Sequence, residues 1–290
     1  MRVVVAPTHA TIKPMTETLR LMAHYECFPL WLSNGDGDLG PAELNLPADL
    51  TPRLLTWADA FDSTLNREDP ASPLPMRAAF LRVGEDEQHS FEREGHTLWR
   101  EMQEARPDLR VTYHSTLLGR SLEPGEDELL DLLDDTGEVG GVLWRSASEG
   151  VKRKWGVVAF LRNPAGELFI PRRAAHKKRW PGALDFSVGG LVMAGESCDQ
   201  AFIREAREEL NLDVKATGWR VAGTFSPFDH GLRCFAHVYE VPFEGTPDLN
   251  PDDFSGGEWL TPDEVRRRAE VGEAVNGDLL RILDLVYGKR

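Results

Sequence analysis

Apolar residues recur at helical spacing in two stretches of the N-terminal part of the 290-residue chain. In residues 50–65 and again in 85–105 they return every three or four positions, so both stretches are predicted to be amphipathic helices. Two short apolar runs, 2–6 and 109–113, are predicted to be strands. The N-terminal part is therefore expected to be a small α+β domain.

The C-terminal part shows a different pattern, in which short apolar runs are separated by turn residues. A hairpin is predicted first, because two runs flank the turn at 134–137. The remaining pattern predicts more strands and then two closing helices. In chain order, the predicted strands are 129–133, 139–144, 155–161, 167–170 and 235–241, and the predicted helices are 262–270 and 277–287.

A turn-rich acidic stretch, residues 121–128, lies between the two patterned parts. Pro124 and Gly125 interrupt regular structure there, and the flanking charges favour exposure to water. We therefore place the domain boundary in this stretch and predict two domains, 1–125 and 126–290.

One further helix is predicted from its two ends. Ser197 followed by Gln200 is a capping box, so a helix should begin at Cys198. Leu210 is its last good helical residue, and Asn211 follows where a left-handed residue commonly ends a helix.

Three carboxylates share one face of this predicted helix, because Glu205, Glu208 and Glu209 stand at i, i+3 and i+4. They repel one another, and no lysine on that stripe relieves them. Oxygen ligands suit Mg²⁺ or Mn²⁺, so a divalent cation would stabilise the set, although a solvated acidic face is the alternative. The adjacent apolar stripe, which can pack on a sheet, consists of Phe202, Ile203, Ala206 and Leu210.

The wider segment around this helix resembles the Nudix box, in which Gly and Glu precede an Arg-Glu-x-x-Glu-Glu helix. The matching residues are Gly190, Glu196, Arg204, Glu205, Ala206, Glu208, Glu209 and Leu212. Asn211 is the one departure, since the family has Gly there. Asn also adopts the left-handed conformation that this position requires, so the departure does not weaken the resemblance.

The resemblance, which covers about residues 128–287, implies an α/β/α sandwich with a mixed sheet. It also implies hydrolysis of a diphosphate linked to another group, X. In that family the carboxylates matching Glu205, Glu208 and Glu209 bind divalent metal, and Arg204 and Glu196 form an ion pair that holds the motif in shape. The expected cofactor is Mg²⁺ or Mn²⁺, and the expected reaction is attack of an activated water on phosphorus.

Segments 170–173 and 177–190 further resemble the isopentenyl-diphosphate-isomerase-like branch of the family. Isomerases of that branch carry a catalytic Cys in an Asn-x-Cys-Cys-Ser-His-Pro segment, which this chain lacks. We therefore expect a pyrophosphohydrolase acting on nucleoside di- or triphosphates or a similar small diphosphate. An isomerase-like enzyme and a nucleotide-sensing Nudix protein without turnover are the alternatives.

Candidate substrate contacts come from a basic loop and from aromatic residues. Arg172 and Arg173 sit at the end of the strand predicted at 167–170, so one should point inward and one outward, and Lys177 follows on the loop. All three are candidates for binding phosphate. Glu258 is a candidate fourth carboxylate or general base. The residues that could stack on a base are Phe228, Trp155, Trp180 and Phe186.

Charge and cysteine content restrict the partners and the compartment. The chain carries 48 Asp and Glu against 33 Lys and Arg, a formal net charge of −15, which opposes binding to nucleic acid or anionic membranes. The three cysteines are too few and too scattered for a disulfide framework. We expect a cytoplasmic protein whose partner is a small diphosphate, and a homodimer is compatible with the sequence. The N-terminal part resembles only small uncharacterised bacterial proteins.

Overall fold

The computed structural model describes residues 18–33, 37–64 and 85–288, so the predicted strand at 2–6 lies outside the described residues. The chain divides into two compact units. The first comprises Met1–Leu129 and Gly141–Ala147, and the second comprises Leu130–Gly140 and Ser148–Arg290. The predicted hairpin is present and contributes residues to both units.

In its described residues the N-terminal unit has a mixed sheet and two α-helices, which confirms the predicted α+β class. The sheet order is β3-β2-β1-β4-β5, and the β1–β4 pair is parallel. The helix predicted at 85–105 has those bounds, whereas the one predicted at 50–65 ends at Asp62. Its elements are β1 (Thr18–Leu21), β2 (Leu30–Leu32), β3 (Asp38–Leu39), α1 (Leu50–Asp62), α2 (Glu85–Ala105), β4 (Arg110–Ser115) and β5 (Arg120–Leu122), with a 3₁₀ turn at Pro41–Leu44.

The C-terminal unit follows the hairpin and is built on a larger sheet. The hairpin strands are β6 (Leu129–Leu133) and β7 (Val139–Trp144). The further strands are β8 (Trp155–Arg162), β9 (Leu168–Arg173), β10 (Val188–Leu191), β11 (Arg220–Phe225), β12 (Phe235–Pro242) and β13 (Phe254–Leu260). The helices are α3 (Cys198–Leu210), α4 (Val214–Thr217), α5 (Pro227–His230), α6 (Pro262–Glu270) and α7 (Leu279–Tyr287).

The sheet of the C-terminal unit is mixed and has a helix layer on each face. Its order is β11-β12-β8-β9-β13, β10 pairs with β8, and the β12–β8 pair is parallel. The apolar side of α3 packs on one face, with Phe202 fully buried against Tyr239, and α6 and α7 pack on the other face. The predicted α/β/α sandwich with a mixed sheet is therefore confirmed.

Strands β8 and β9 pair beside their turn, at Arg162 and Leu168. The segment 183–191 lies between their farther ends, because β10 pairs with β8 while Leu184 bridges to Arg172 of β9. Ser187 joins both neighbours: its hydroxyl accepts from the amide of Leu161 at 2.9 Å and donates to the carbonyl of Phe169 at 2.6 Å. This arrangement presents β10 directly beneath α3.

The ends of α3 match the sequence prediction. Ser197 and Gln200 form both hydrogen bonds of the capping box, and the helix begins at Cys198. Asn211 ends it with φ 47° and ψ 32°, which is the left-handed conformation. The substitution of Asn for the family's Gly therefore leaves the helix end intact.

Candidate active site

Two consecutive glycines of β10 lie under the acidic face of α3. The amide of Gly189 donates to Oε2 of Glu209 at 2.9 Å. At Gly190 a Cβ atom would lie 2.0 Å from the carboxyl carbon of Glu205. The absence of a side chain at Gly190 is therefore a steric requirement for this position of Glu205.

Arg204 links the acidic groups of the motif. Its guanidinium donates twice to Glu196, with Nε–Oε1 and Nη2–Oε2 distances of 3.0 Å, so the ion pair implied by the resemblance is present. Nη1 also donates to Oε1 of Glu205 at 2.7 Å, and Nη2 donates to the carbonyl of Leu191 at 3.1 Å. Burial opposes the charged form, but Glu196 and Glu205 together raise the pKa of Arg204.

This geometry corrects one premise of the sequence analysis. No lysine relieves the carboxylate stripe, but Arg204 does so for Glu205 and lies 3.4 Å from Oε2 of Glu208. Arg204 precedes Glu205 by one residue, and its long side chain turns back toward Glu196. Its guanidinium therefore contacts the carboxylates of both glutamates. The guanidinium of Arg204 therefore supplies positive charge within the acidic face.

The pKa of Glu209 is strongly perturbed. Burial raises the pKa of Glu209 well above its ordinary value, and the negative charge of Glu205 raises it further. Asp185 and Asp253 act in the same direction, whereas the hydrogen bond from Gly189 opposes them. A buried carboxylate among other carboxylates is stabilised when a cation binds beside it.

The donor chemistry of this face fits a hard divalent cation, since carboxylate oxygens are its preferred ligands. Across the described ranges, however, no three Asp, Glu, His or Cys side chains stand close enough together to hold a metal ion as they are. The side chain of Glu208 is 57% exposed, and Glu205 is engaged by Arg204. A metal held by all three glutamates would therefore require at least one of these side chains to move.

The loop before β13 forms hydrogen bonds with the C-terminal end of α3, which the sequence did not predict. The amide of Asn250 donates to the carbonyl of Glu209 at 2.8 Å, and its side-chain amide donates to the carbonyl of Glu208 at 3.1 Å. Asn211 donates to Asp248 at 3.1 Å. No short motif marks these residues, because the contacts join segments about 40 positions apart.

The two arginines at the end of β9 lie on opposite faces of the sheet. Phe169 packs in the core beneath α3, and alternation along the strand places Arg173 on that same face. Arg172 lies on the other face, where it donates to Glu273 and to the carbonyl of Gly182. Of the two, the structure brings only Arg173 to the side of the acidic helix, where it pairs with Asp185 at 2.6 Å.

Lys177 and Glu258, two other predicted site residues, have different surroundings. Lys177 forms an ion pair with Asp253, one of the acids whose charge acts on Glu209. Glu258 is opposite Ile170 in the β13–β9 register and therefore lies on the face covered by α6. There Arg268 donates to both of its oxygens at 2.8 Å, so the structure does not bring Glu258 to the acidic helix.

The candidate aromatic residues also separate. Phe186 is buried, and Trp155 packs against Phe235 with ring centroids 5.1 Å apart. Phe228 and Trp180 are exposed, by 47% and 40%. Trp180 has φ 52°, which is uncommon for a bulky residue, and the guanidinium of Arg233 lies 5.7 Å from its ring centroid.

Comparisons with known proteins agree with this fold and motif. The profile of the NUDIX domain matches residues 152–281, and the profile "Serratia CdiI immunity protein-like" matches residues 17–116. A Nudix hydrolase of Deinococcus radiodurans is 48% identical over 162 residues, which are 56% of this chain and 95% of the relative. An uncharacterised Nudix hydrolase of Nostoc sp. is 36% identical over 55% of this chain and 96% of its own length.

Among solved structures, the crystal structure of DR0079 from Deinococcus radiodurans is similar to this chain. It is 47% identical, covers 55% of this chain and 99% of its own, and has a TM-score of 0.54. The chain belongs to the Nudix hydrolase family, whose members act on phosphorus-containing anhydrides and generally use divalent metal ions. None of the helices described by the structure is both long and apolar enough to cross a bilayer.

Proposed function

We propose that this chain is a pyrophosphohydrolase, dependent on Mg²⁺ or Mn²⁺, that acts on nucleoside di- or triphosphates or a similar small diphosphate. The observation that carries the proposal is the buried pair Glu205 and Glu209 on two consecutive glycines of β10. This pair combines hard oxygen donors with a charge repulsion that a divalent cation would remove.

In this proposal Glu205, Glu208 and Glu209 hold the metal, while Arg204 and Glu196 fix the loop that precedes α3. The bound metal supplies charge neutralisation on the diphosphate and lowers the pKa of a water molecule. The remaining chemistry is positioning, since phosphoryl transfer depends mainly on oriented charges around the phosphate oxygens.

Support for a phosphorylated substrate comes from the basic groups near the acidic helix. Arg173 lies on the face of α3, and Lys177 pairs with Asp253. A metal-bound diphosphate would receive positive charge from both, which offsets the repulsion of a chain with net charge −15.

Support for a group X with an aromatic ring comes from Trp180. Its exposed indole lies against Arg233, and its backbone neighbour Arg179 accepts a hydrogen bond from Arg173 through its carbonyl. A nucleobase stacked on an exposed tryptophan gains about 1–3 kcal/mol. Nothing in the comparisons points to the isomerase alternative.

The test is a substrate panel incubated with the purified full chain. Nucleoside di- and triphosphates, nucleotide sugars and inorganic pyrophosphate are each supplied with Mg²⁺, with Mn²⁺ and with EDTA, and the products are separated by chromatography. We expect hydrolysis of at least one nucleotide, abolished by EDTA. A nucleotide that binds tightly in calorimetry and stays intact would instead identify a sensing protein, and a panel with neither binding nor turnover would contradict the proposal.

A further inference from the structure

Asp185 is a buried carboxylate outside the Nudix box. It is 5% exposed, lies between β9 and β10 in the chain, and accepts three hydrogen bonds from three different segments. Arg173 donates to Oδ2 at 2.6 Å, and the side-chain amide of Asn276 donates to Oδ1 at 2.7 Å. The amide of Phe186 also donates to Oδ1, at 2.8 Å.

Arg173 is held from a second side as well. Its Nε donates to the carbonyl of Arg179 at 3.0 Å, and its side chain is only 20% exposed. Nε and Nη1 are thus both engaged, while Nη2 donates no hydrogen bond to the residues that the structure describes. A guanidinium fixed on two nitrogens keeps the third available in a set orientation, which is the arrangement suited to binding an oxyanion.

The Asp185–Arg173 pair stands beside the acidic helix. Strand alternation puts Arg173 on the face of the sheet that α3 covers, and the carboxylate of Asp185 is paired with it there at 2.6 Å. An ion pair that served only to join β9 to its neighbours could lie on either face. This one lies on the same face of the sheet as the helix that carries the box.

We propose that Asp185 is a positioning residue for the substrate: it orients Arg173 so that Nη2 binds a phosphate oxygen of the diphosphate. Asn276, on the segment between α6 and α7, completes the arrangement by fixing the other carboxylate oxygen of Asp185. The inference rests on the proposed function for the nature of the ligand, and it adds Asp185 and Asn276 to the residues that select an anionic substrate.

The chain offers a matched control for this proposal. Arg172 and Glu273 form an ion pair one residue away on β9, but on the face covered by α6 and α7. The two pairs have the same chemistry and similar positions along the strand. The Arg172–Glu273 pair lies on the opposite face and is more exposed, with side-chain exposures of 37% and 24% against 20% and 7% for Arg173 and Asp185. A general effect of removing an ion pair should still appear in both.

The experiment compares Asp185→Asn, Arg173→Met, the double variant and the control Glu273→Gln. An amide at position 185 has one oxygen where the carboxylate has two, so Arg173 and Asn276 can no longer both donate to it. We expect Asp185→Asn to raise KM about tenfold with kcat within about twofold of the parent, because the lost interaction binds ground state and transition state alike. Arg173→Met should raise KM at least as much, and Glu273→Gln should leave it unchanged.

The double variant decides between positioning and general stabilisation. If Asp185 acts through Arg173, adding Asp185→Asn to Arg173→Met should raise KM by less than twofold more. A full tenfold further rise, or an equal effect of Glu273→Gln, would overturn the proposal. Thermal unfolding of each variant checks that the fold is intact, and Asp185→Glu offers a second, charge-conserving variant should Asp185→Asn fail to fold.

Binding of inorganic pyrophosphate without metal, measured by calorimetry, separates this inference from the proposed function. Weaker binding to Asp185→Asn and Arg173→Met than to Glu273→Gln supports the anion site even if no nucleotide is hydrolysed. Equal binding by all three variants contradicts the inference even if the parent is an active hydrolase.

Discussion

Helix α2 of the N-terminal unit and helix α3 of the C-terminal unit both carry buried glutamates. The glutamate of α2 is surrounded by neutral hydrogen-bond donors, whereas those of α3 have charged neighbours. On α2, Glu92 is completely buried, and Thr116 donates to its Oε2 from both the backbone amide and the hydroxyl, at 2.9 and 2.6 Å. On α3, Glu205 and Glu209 are 8% and 9% exposed, Glu205 is paired with Arg204, and the negative charge of Glu205 acts on Glu209.

The pKa directions express this difference. Burial alone raises the pKa of Glu92, and its neutral hydrogen-bond donors oppose that rise. The pKa of Glu209 is raised by burial and also by neighbouring negative charges, Glu205 first. A buried acid among neutral donors is a structural element, whereas buried acids that repel one another indicate a site that gains from a cation.

The largest expected effect tests this distinction on catalysis. Glu209→Gln keeps an acceptor for the amide of Gly189 but removes a charged metal ligand, so turnover should fall roughly 100-fold or more. The free energy of unfolding should stay the same or rise, since repulsion with Glu205 is lost. Steady-state kinetics and thermal unfolding measure the two quantities.

Glu92→Gln is the matched control for that variant, since it makes the same chemical change at a buried acid of the other helix. Its kcat should stay within about twofold of the parent. Comparable losses of turnover in both variants would mean that the buried acids of α2 and α3 have the same influence on catalysis.

The next effect concerns Arg204, the cation that the α3 acids share. Arg204→Met removes the positive charge that pairs with the buried carboxylates of Glu196 and Glu205, which should lower the stability of this unit by about 3 kcal/mol. Hydrogen exchange of the α3 amides measures the loss locally. Adding Glu196→Gln to Arg204→Met should recover part of it, and a double variant less stable than Arg204→Met would argue against the pairing.

A smaller effect is the pH dependence from Glu92. Because the pKa of Glu92 is raised on folding, the folded state binds more protons than the unfolded state above pH 4.5. Its contribution to stability is thus present below that pH and is lost as the pH rises through the folded pKa. Denaturant unfolding at pH 4.5 and pH 8 should show Glu92→Gln gaining on the parent at the higher pH. A constant difference would mean that folding does not change the pKa of Glu92.

The smallest effect lies at the C-terminal end of α3. Asn211 has φ 47°, so Asn211→Ala should cost about 1 kcal/mol, while Asn211→Gly should change stability by less than about half of that. Chemical denaturation of the two variants gives the comparison. Equal losses would assign the role of Asn211 to its hydrogen bond with Asp248 rather than to its backbone conformation.

The parts of the structure that were predictable from sequence are those governed by local spacing. The capping box at Ser197, the end of α3 at Asn211 and the helix Pro262–Glu270 all match the predictions. Strand β9 was predicted to stop at residue 170, but it continues through Pro171 to Arg173. The carbonyl of Pro171 accepts from the amide of Asp185 at 2.9 Å, so the strand keeps a neighbour despite the missing proline donor.

The features that could not be predicted from the sequence depend on how strands that are distant in the chain align with one another. Strand β10 contains two consecutive glycines and lacks a strand-forming pattern, so it was not predicted, and Asp185 carries no motif. Glu258 was a candidate from its type and neighbourhood alone. Its pairing with Ile170, which decides its face, follows from how β13 aligns with a strand more than 80 residues earlier.

The two positions where the Nudix motif specifies glycine have unequal tolerance to substitution. At 211 the requirement is the sign of φ, which asparagine satisfies in this chain. At 190 the requirement is empty volume, because even a methyl group would overlap the carboxyl group of Glu205. In a saturation library screened for folded protein, several residues should therefore be tolerated at position 211 and only glycine at position 190. Motif searches that weight the two positions equally will overlook functional homologues.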